Sequence, residues 1–326
     1  MERVVVTGGT GFVGAHVAAR LMRDDEHEVL VTVRTPEQEQ VAIALAKRGG
    51  VNPDIVDELE VEVADLGSEE GWADAFEDAD YVVHAASPSV DGVRRVLAAA
   101  REAGVRRVVL VSCFGAVAYG QPERSAPFTE ADWTDVDGAG VTESQRTSTL
   151  AERAAWDAVG AEGLELVVLA PVTLWGPVLS KEPPLTGRIA LTMLKGGLPF
   201  VGPVRSNLLD VRDLADLALR AMTHPDAAGR RFVATSGEPV ALSAVAKQMG
   251  VRSVKVPRWA SRKDAPELVE LAETMGDPRP ADASVAQRLL GWQPRPVEKT
   301  VRDTASSLRD LGLLSPSFEE SLREFR

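Results

Sequence analysis

Short continuous apolar runs alternate through the first half of the chain with stretches whose apolar positions recur every three or four residues. Val4–Val6, Val29–Val33, Leu59–Val63, Tyr81–Ala85, Val105–Val111 and Leu164–Leu169 read as buried strands. Between them, Gly11–Arg23, Pro36–Lys47, Ser68–Phe76, Ser89–Ala103 and Glu143–Val159 carry helical periodicity. Strands separated by helices of this kind predict an α/β fold, a doubly wound Rossmann-type parallel sheet covered on both faces. The rhythm breaks after Pro171. A Pro-rich loop is followed by helices over Leu185–Lys195 and Asp210–Met222, a late strand at Arg231–Thr235, and helical pieces from Leu242 onward. The predicted division is a dinucleotide-binding domain over 1–172, to which 207–235 returns, and a smaller, mostly helical substrate lobe from 173–206 and 236–326.

The first strand runs into Thr7-Gly-Gly-Thr-Gly-Phe-Val-Gly14. Glycines at 8, 11 and 14 between a strand and a helix suit a dinucleotide. Gly8 permits the tight turn, Gly11 lets backbone approach a pyrophosphate, and Gly14 allows close helix–sheet packing. The helix then presents its first amides, around Thr10, Phe12 and Val13, to the phosphates. Arg34-Thr35 follows the second strand where an acidic residue would hold ribose hydroxyls. An arginine there pairs with a 2′-phosphate, which predicts NADPH over NADH. Asp65-Leu66 and Ala85-Ala86-Ser87 close the third and fourth strands and are expected to flank the cofactor, the small side chains letting it lie close to the sheet.

Composition narrows the partners. A formal charge of −13 repels phosphate-rich surfaces, so neither nucleic acid nor an anionic membrane is expected. The lone Cys113 excludes an intrachain disulfide, and the N-terminus enters a strand without a signal-peptide pattern, which predicts a cytoplasmic protein, monomeric or homodimeric. The four histidines have no metal-ligand spacing, and no metal is expected. His84, ending a strand, reads as a satisfied core residue.

These motifs, with "HAASP" at 84–88, "VAYG" at 117–120, "FTEADW" at 128–133, "TLAERAAWD" at 149–157, "PVTLWGP" at 171–177, "DVRDLADL" at 210–217 and "RLLGWQPRP" at 288–296, resemble the extended short-chain dehydrogenase/reductases, especially the dihydroflavonol-reductase-like branch. The resemblance implies that Pro171 and Leu174 also line the cofactor. It implies a substrate pocket involving Ser87, Cys113, Ser144 and Trp175. Such enzymes act through a serine after strand five and a Tyr-x-x-x-Lys on the next helix. Here the tyrosine position is Ser144, the lysine position is Ser148, and the serine position is Cys113 beside Ser112. The two tyrosines, Tyr81 and Tyr119, have no lysine four residues on, and no lysine lies between Arg48 and Ser180. The segment after Pro88 is also shorter than in the family, opening the cleft.

Ser112, Cys113, Ser144 and Ser148 are therefore expected to position ligands rather than act as acids. Two readings follow. One is an NADPH-dependent ketoreductase acting on a bulky aromatic ketone that supplies its own proton, similar to the few polyketide reductases of this superfamily that lack the tyrosine. The other is a non-catalytic NADP(H)-binding sensor or scaffold, similar to the NmrA-like regulators.

Overall fold

The computed structural model describes residues 1–86, 88–122, 124–160, 163–195, 205–251 and 278–314. Strands β1 (Glu2–Thr7), β2 (His27–Val33), β3 (Glu60–Val63), β4 (Tyr81–His84), β5 (Arg107–Val111), β6 (Glu165–Pro171) and β7 (Arg231–Ala234) form a parallel sheet in the order β7-β6-β5-β4-β1-β2-β3. The order reverses between β1 and β4, where Val4–Thr7 pairs with Tyr81–His84, and a crevice opens there beyond the strand ends.

One face is covered by α1 (Phe12–Asp24), α2 (Glu39–Arg48) and α7 (Val211–Thr223), which bury Val17, Leu21, Leu214 and Leu217 against Val4, Val6 and Val31. The other carries α3 (Trp72–Phe76), α4 (Val90–Glu102) and α5 (Glu143–Val159), packed on Val5, Val82, Val108 and Leu166. Successive strand residues therefore feed opposite layers, as the strand period of two requires. A third apolar cluster joins Trp175, Ile189, Met193, Leu242, Val245, Val301 and Leu308. It draws on α6 (Leu185–Leu194), α8 (Leu242–Gln248) and α10 (Val297–Asp310), while α9 (Ser284–Leu290) packs toward the first cluster.

Two elements differ from expectation. Leu59–Val63 reads as a buried strand, but β3 lies at the sheet edge with Glu60, Glu62 and Val63 exposed, its charged residues suiting a strand paired on one side only. The helix expected from Ser68 starts at Trp72, because Gly71 takes φ +85° and Ser68 caps a turn by accepting the Glu70 N–H. By contrast, α5 occupies 143–159 as its pattern predicts. It is fixed by a reciprocal cap in which Thr142 Oγ1 accepts the Gln145 N–H (3.2 Å) and Gln145 Oε1 accepts the Thr142 N–H (3.0 Å), an arrangement worth about 1 kcal/mol.

A partly buried charge clamp ties the C-terminal segment to α7. Asp210 takes a two-pronged bond from Arg212, which also reaches Asp303 on α10 (2.7 Å), while Arg295 pairs with Asp213 (3.0 Å) and donates its backbone N–H to it (2.8 Å). Burial raises the Asp213 carboxyl to about 6 despite Arg295. At the other edge of the sheet Glu130 Oε1 accepts the Val233 N–H of β7 (3.1 Å). Among the described residues no helix is long and apolar enough to cross a membrane.

Candidate functional site

The turn after β1 leaves no room for side chains. Gly8 has φ +73°, and a Cβ on Gly14 would stand 2.2 Å from the Gly8 carbonyl oxygen. Gly11 N–H closes the turn on that oxygen (2.8 Å). Gly9, which sequence reasoning passed over, is equally constrained, since its Cβ would fall 2.5 Å from that of Val31. No side chain caps α1 at Gly11, so the amides of its first turn lack helical partners and face outward for an anion. Thr10, Phe12 and Val13 are partly exposed beside the turn. A cradle that any Cβ would fill, at an uncapped helix start, fits a dinucleotide pyrophosphate.

Arg34 follows β2 directly and is exposed. Its backbone N–H donates to Gln38 Oε1 (2.9 Å), while its guanidinium makes no ion pair among the described residues. Thr35 donates to Glu37 and holds that carboxyl below its usual range. Asp65 and Leu66 are partly exposed at the end of β3, with Asp65 Oδ1 accepting the Gly67 N–H (2.6 Å). Ala85 and Ala86 lie against the glycine turn, Ala86 Cα standing 3.1 Å from where a Gly8 Cβ would be. Ser87 lies outside the described residues. Pro171 is buried at the end of β6, and Leu174 is partly exposed just beyond it.

The positions expected to act on a substrate come together where β5 ends against α5. Cys113 is partly exposed, and the neighbouring Ser148 hydroxyl bonds to its sulfur; burial of its surroundings pushes the thiol up, so it stays protonated. Ser148 is buried and Ser144, one turn earlier, is exposed. Ser112 is spoken for: its hydroxyl donates to Glu152 Oε2 (2.6 Å), so it offers only lone pairs to any other group. Glu152 is fully buried and paired with Arg231 Nε (2.5 Å); Arg231 in turn stacks 3.6 Å over the Trp133 ring. Sequence reasoning missed this acid. The signal was available, because 144, 148, 152 and 156 form one i, i+4 row along α5.

Trp175 corrects another expectation. Rather than lining the cleft, it is 0% exposed within the third apolar cluster, its register with Asp210 turning the indole inward. Tyr81 and Tyr119 are both buried in the first apolar cluster. His84 is buried, shares a 2.7 Å hydrogen bond with Thr7 Oγ1, and is held near pKa 4 by desolvation. His16, on α1, bonds the Pro177 carbonyl (2.9 Å) and is likewise lowered to about 4, chiefly by burial. No group of potential metal ligands occurs among the described residues.

Residues 4–234 match the NAD dependent epimerase/dehydratase family. The chain is 30% identical over 249 residues to a dihydroflavonol 4-reductase of Zea mays, covering 70% of this chain and 68% of the relative. It is 31% identical over 252 residues to a cinnamoyl-CoA reductase 1 of Arabidopsis thaliana, covering 72% and 71%. Its fold is similar to that of the yeast methylglyoxal/isovaleraldehyde reductase Gre2 complexed with NADPH, at TM-score 0.72 and 22% identity over 96% of this chain and 100% of that one.

Proposed function

Because the chain belongs to the NAD dependent epimerase/dehydratase family, and reductases stand among its relatives, we propose that it is an NADPH-dependent ketoreductase of an atypical kind. Its substrate is a bulky aromatic, polyketide-like ketone reduced without an enzyme tyrosine and lysine. The reading follows the resemblance to the tyrosine-lacking polyketide reductases, the angucyclinone ketoreductase of simocyclinone biosynthesis among them. The observation that carries it is the contrast within one cleft. The dinucleotide cradle from Gly8 to Gly14 is intact, with the exposed Arg34 guanidinium for a 2′-phosphate, while α5 presents serines at 144 and 148.

When bound, the cofactor supplies a hydride to the carbonyl carbon. The chain has then to hold the ketone without donating to it strongly. Ser144 and Ser148 are too weakly acidic at neutral pH, the Cys113 thiol is pushed further up, and the Ser112 proton is committed to Glu152. A phenol beside the ketone supplies what is missing. Its proton passes to the carbonyl oxygen as the hydride arrives, and the phenolate regains one from water. Such an oriented internal group acts at a very high effective concentration. Serine in place of a tyrosine also leaves space for a flat ring system, since an aromatic side chain buries about 150–250 Å².

The test is to incubate the protein with NADPH and a hydroxylated aromatic ketone, then with the methyl ether of the same ketone, following NADPH oxidation by absorbance. The hydroxylated ketone is expected to be reduced and the ether to be slower by about 10²-fold or more, the usual cost of losing a positioned acid. Equal rates would remove the borrowed proton from the mechanism. Tight NADPH binding with neither ketone reduced would favour a non-catalytic NADP(H)-binding sensor or scaffold of the NmrA-like kind.

A further inference from the structure

Beyond β7, at the outer edge of the sheet and apart from every residue of the cofactor cradle, lies an open groove of about 480 Å³. It is lined by Glu130, Trp133, Trp156, Arg230, Arg231 and Val285 with their immediate neighbours. That volume falls within the roughly 300–1,000 Å³ typical of small-molecule sites. Two indoles, both partly exposed, form its apolar walls with Val285. The Trp133 ring already carries the Arg231 guanidinium at 3.6 Å, so the partly exposed Trp156 indole is the surface suited to stacking a flat ring.

The polar groups are specific in kind. Arg231 forms part of the floor. Its side chain is only 5% exposed, its Nε is held by Glu152 and its Nη1 by the Asp132 carbonyl (2.7 Å), yet among the described residues its Nη2 has no hydrogen-bond partner. A buried guanidinium nitrogen without an acceptor is costly and uncommon. Arg230 beside it is exposed. Its Nε donates to the Asp226 carbonyl (2.8 Å), and it has no carboxylate partner among the described residues. Opposite in chemistry stands Glu130, one oxygen of which accepts the Val233 N–H; burial raises its carboxyl from the ordinary value.

We propose that this groove is a second ligand site, for a planar aromatic acid that also carries a hydroxyl. The ring lies on Trp156 beside the Trp133–Arg231 stack, the carboxylate pairs with Arg230 at the Arg231 floor, and the hydroxyl donates to Glu130. A guanidinium and a carboxylate form paired, charge-assisted hydrogen bonds of fixed geometry, which sets the ligand's orientation. No bond is made or broken, and the site stands independently of the reductase reading.

The experiment uses the full chain labelled with 5-fluorotryptophan and followed by ¹⁹F NMR, the resonances assigned by single Trp→Phe replacements. The probes are 6-hydroxy-2-naphthoate and the corresponding amide, 6-hydroxy-2-naphthamide. Addition of the naphthoate is expected to shift the Trp133 and Trp156 resonances saturably while those of the buried Trp72 and Trp292 stay in place. The amide should bind at least tenfold more weakly, and Arg230→Ala should weaken the naphthoate by a similar factor. Arg230 is exposed, so this variant folds; Val285→Glu, placing an acid in the wall, gives a second variant with the same expected loss. Saturating NADPH should leave the titration unchanged. Overturning results are an absence of shifts, equal affinity for acid and amide, indifference to both substitutions, or displacement of the naphthoate by NADPH, which would place it in the cofactor cleft.

Discussion

In the proposed function, Arg34 is the residue that selects between the two nicotinamide cofactors. It stands exposed at the end of β2 with no carboxylate partner among the described residues, so removing its guanidinium disturbs little of the fold. Charge-assisted hydrogen bonds contribute roughly 1.5–3 kcal/mol each, which corresponds to about a tenfold to hundredfold change in affinity. Arg34→Ala is therefore expected to weaken NADPH binding by that factor while leaving NADH binding nearly unchanged, as calorimetric titration of both cofactors would reveal. Equal losses would assign the arginine a structural role. Ser112 and Glu152 show how much a single hydroxyl's hydrogen-bond direction matters. From the sequence, Ser112 is a hydroxyl beside the cleft; in the folded chain its one proton points to a buried carboxylate paired with Arg231. Nothing in the linear pattern says which way a serine hydroxyl donates, since that depends on a partner 40 residues away.

At the level of elements, the β1–α1 turn is the least forgiving. A methyl at Gly14 meets the Gly8 carbonyl at 2.2 Å, a backbone atom that cannot rotate away, so the helix must shift from the strand. Gly14→Ala should thus lower the melting temperature and weaken either nicotinamide cofactor more than tenfold, whereas Gly104→Ala, at a positive φ but with nothing within 4 Å, should cost stability alone. Cofactor affinity measured for both variants separates the cases. Elements with strong local signals were legible from the chain: α5 has its apolar row and its reciprocal cap, and the alternating strand and helix periods indicate the parallel sheet. Less legible were elements whose surroundings decide their fate. β3 has the residues of a half-buried strand but no neighbour on one side. Trp175 sits in a motif beside the cleft, yet the register of Leu174–Trp175 with Leu209–Asp210 carries it into the third core. The edge groove is formed from the segments around 130, 156, 230 and 285, so no stretch of sequence announces it.

For the molecule as a whole, buried titratable groups set the response to acid. His16 and His84 fall from 6.5 to about 4 on folding because burial disfavours their charged forms. In the unfolded chain they bind protons below pH 6.5, so their contribution to stability is complete above that pH. It is lost as pH falls toward 4, by an amount on the order of 3 kcal/mol each. Asp213 works in the opposite sense. Its carboxyl holds a proton in the folded chain up to about pH 6 but releases it near 3.8 when unfolded, so acidification over that interval favours the fold. Glu130, also raised, adds to this compensation. The melting temperature is expected to fall between pH 6.5 and 4, and Asp213→Asn should make that fall steeper. A variant with the same slope as the parent would show that Asp213 does not titrate in this range.

The two edge strands carry a consequence for how copies of this protein meet. A parallel sheet that stops at β3 and β7 leaves two rows of backbone groups able to recruit a strand from another molecule. At β7 the Val233 amide is already occupied by the Glu130 carboxylate, and at β3 Glu60 is tied to Arg3 while the exposed Glu62 would bring like charges together in any edge-to-edge stack. The acidic surplus of this chain is thus placed in part where it discourages sheet extension between crowded molecules, opposing fibrillar aggregation while leaving the crevice at the sheet's centre open.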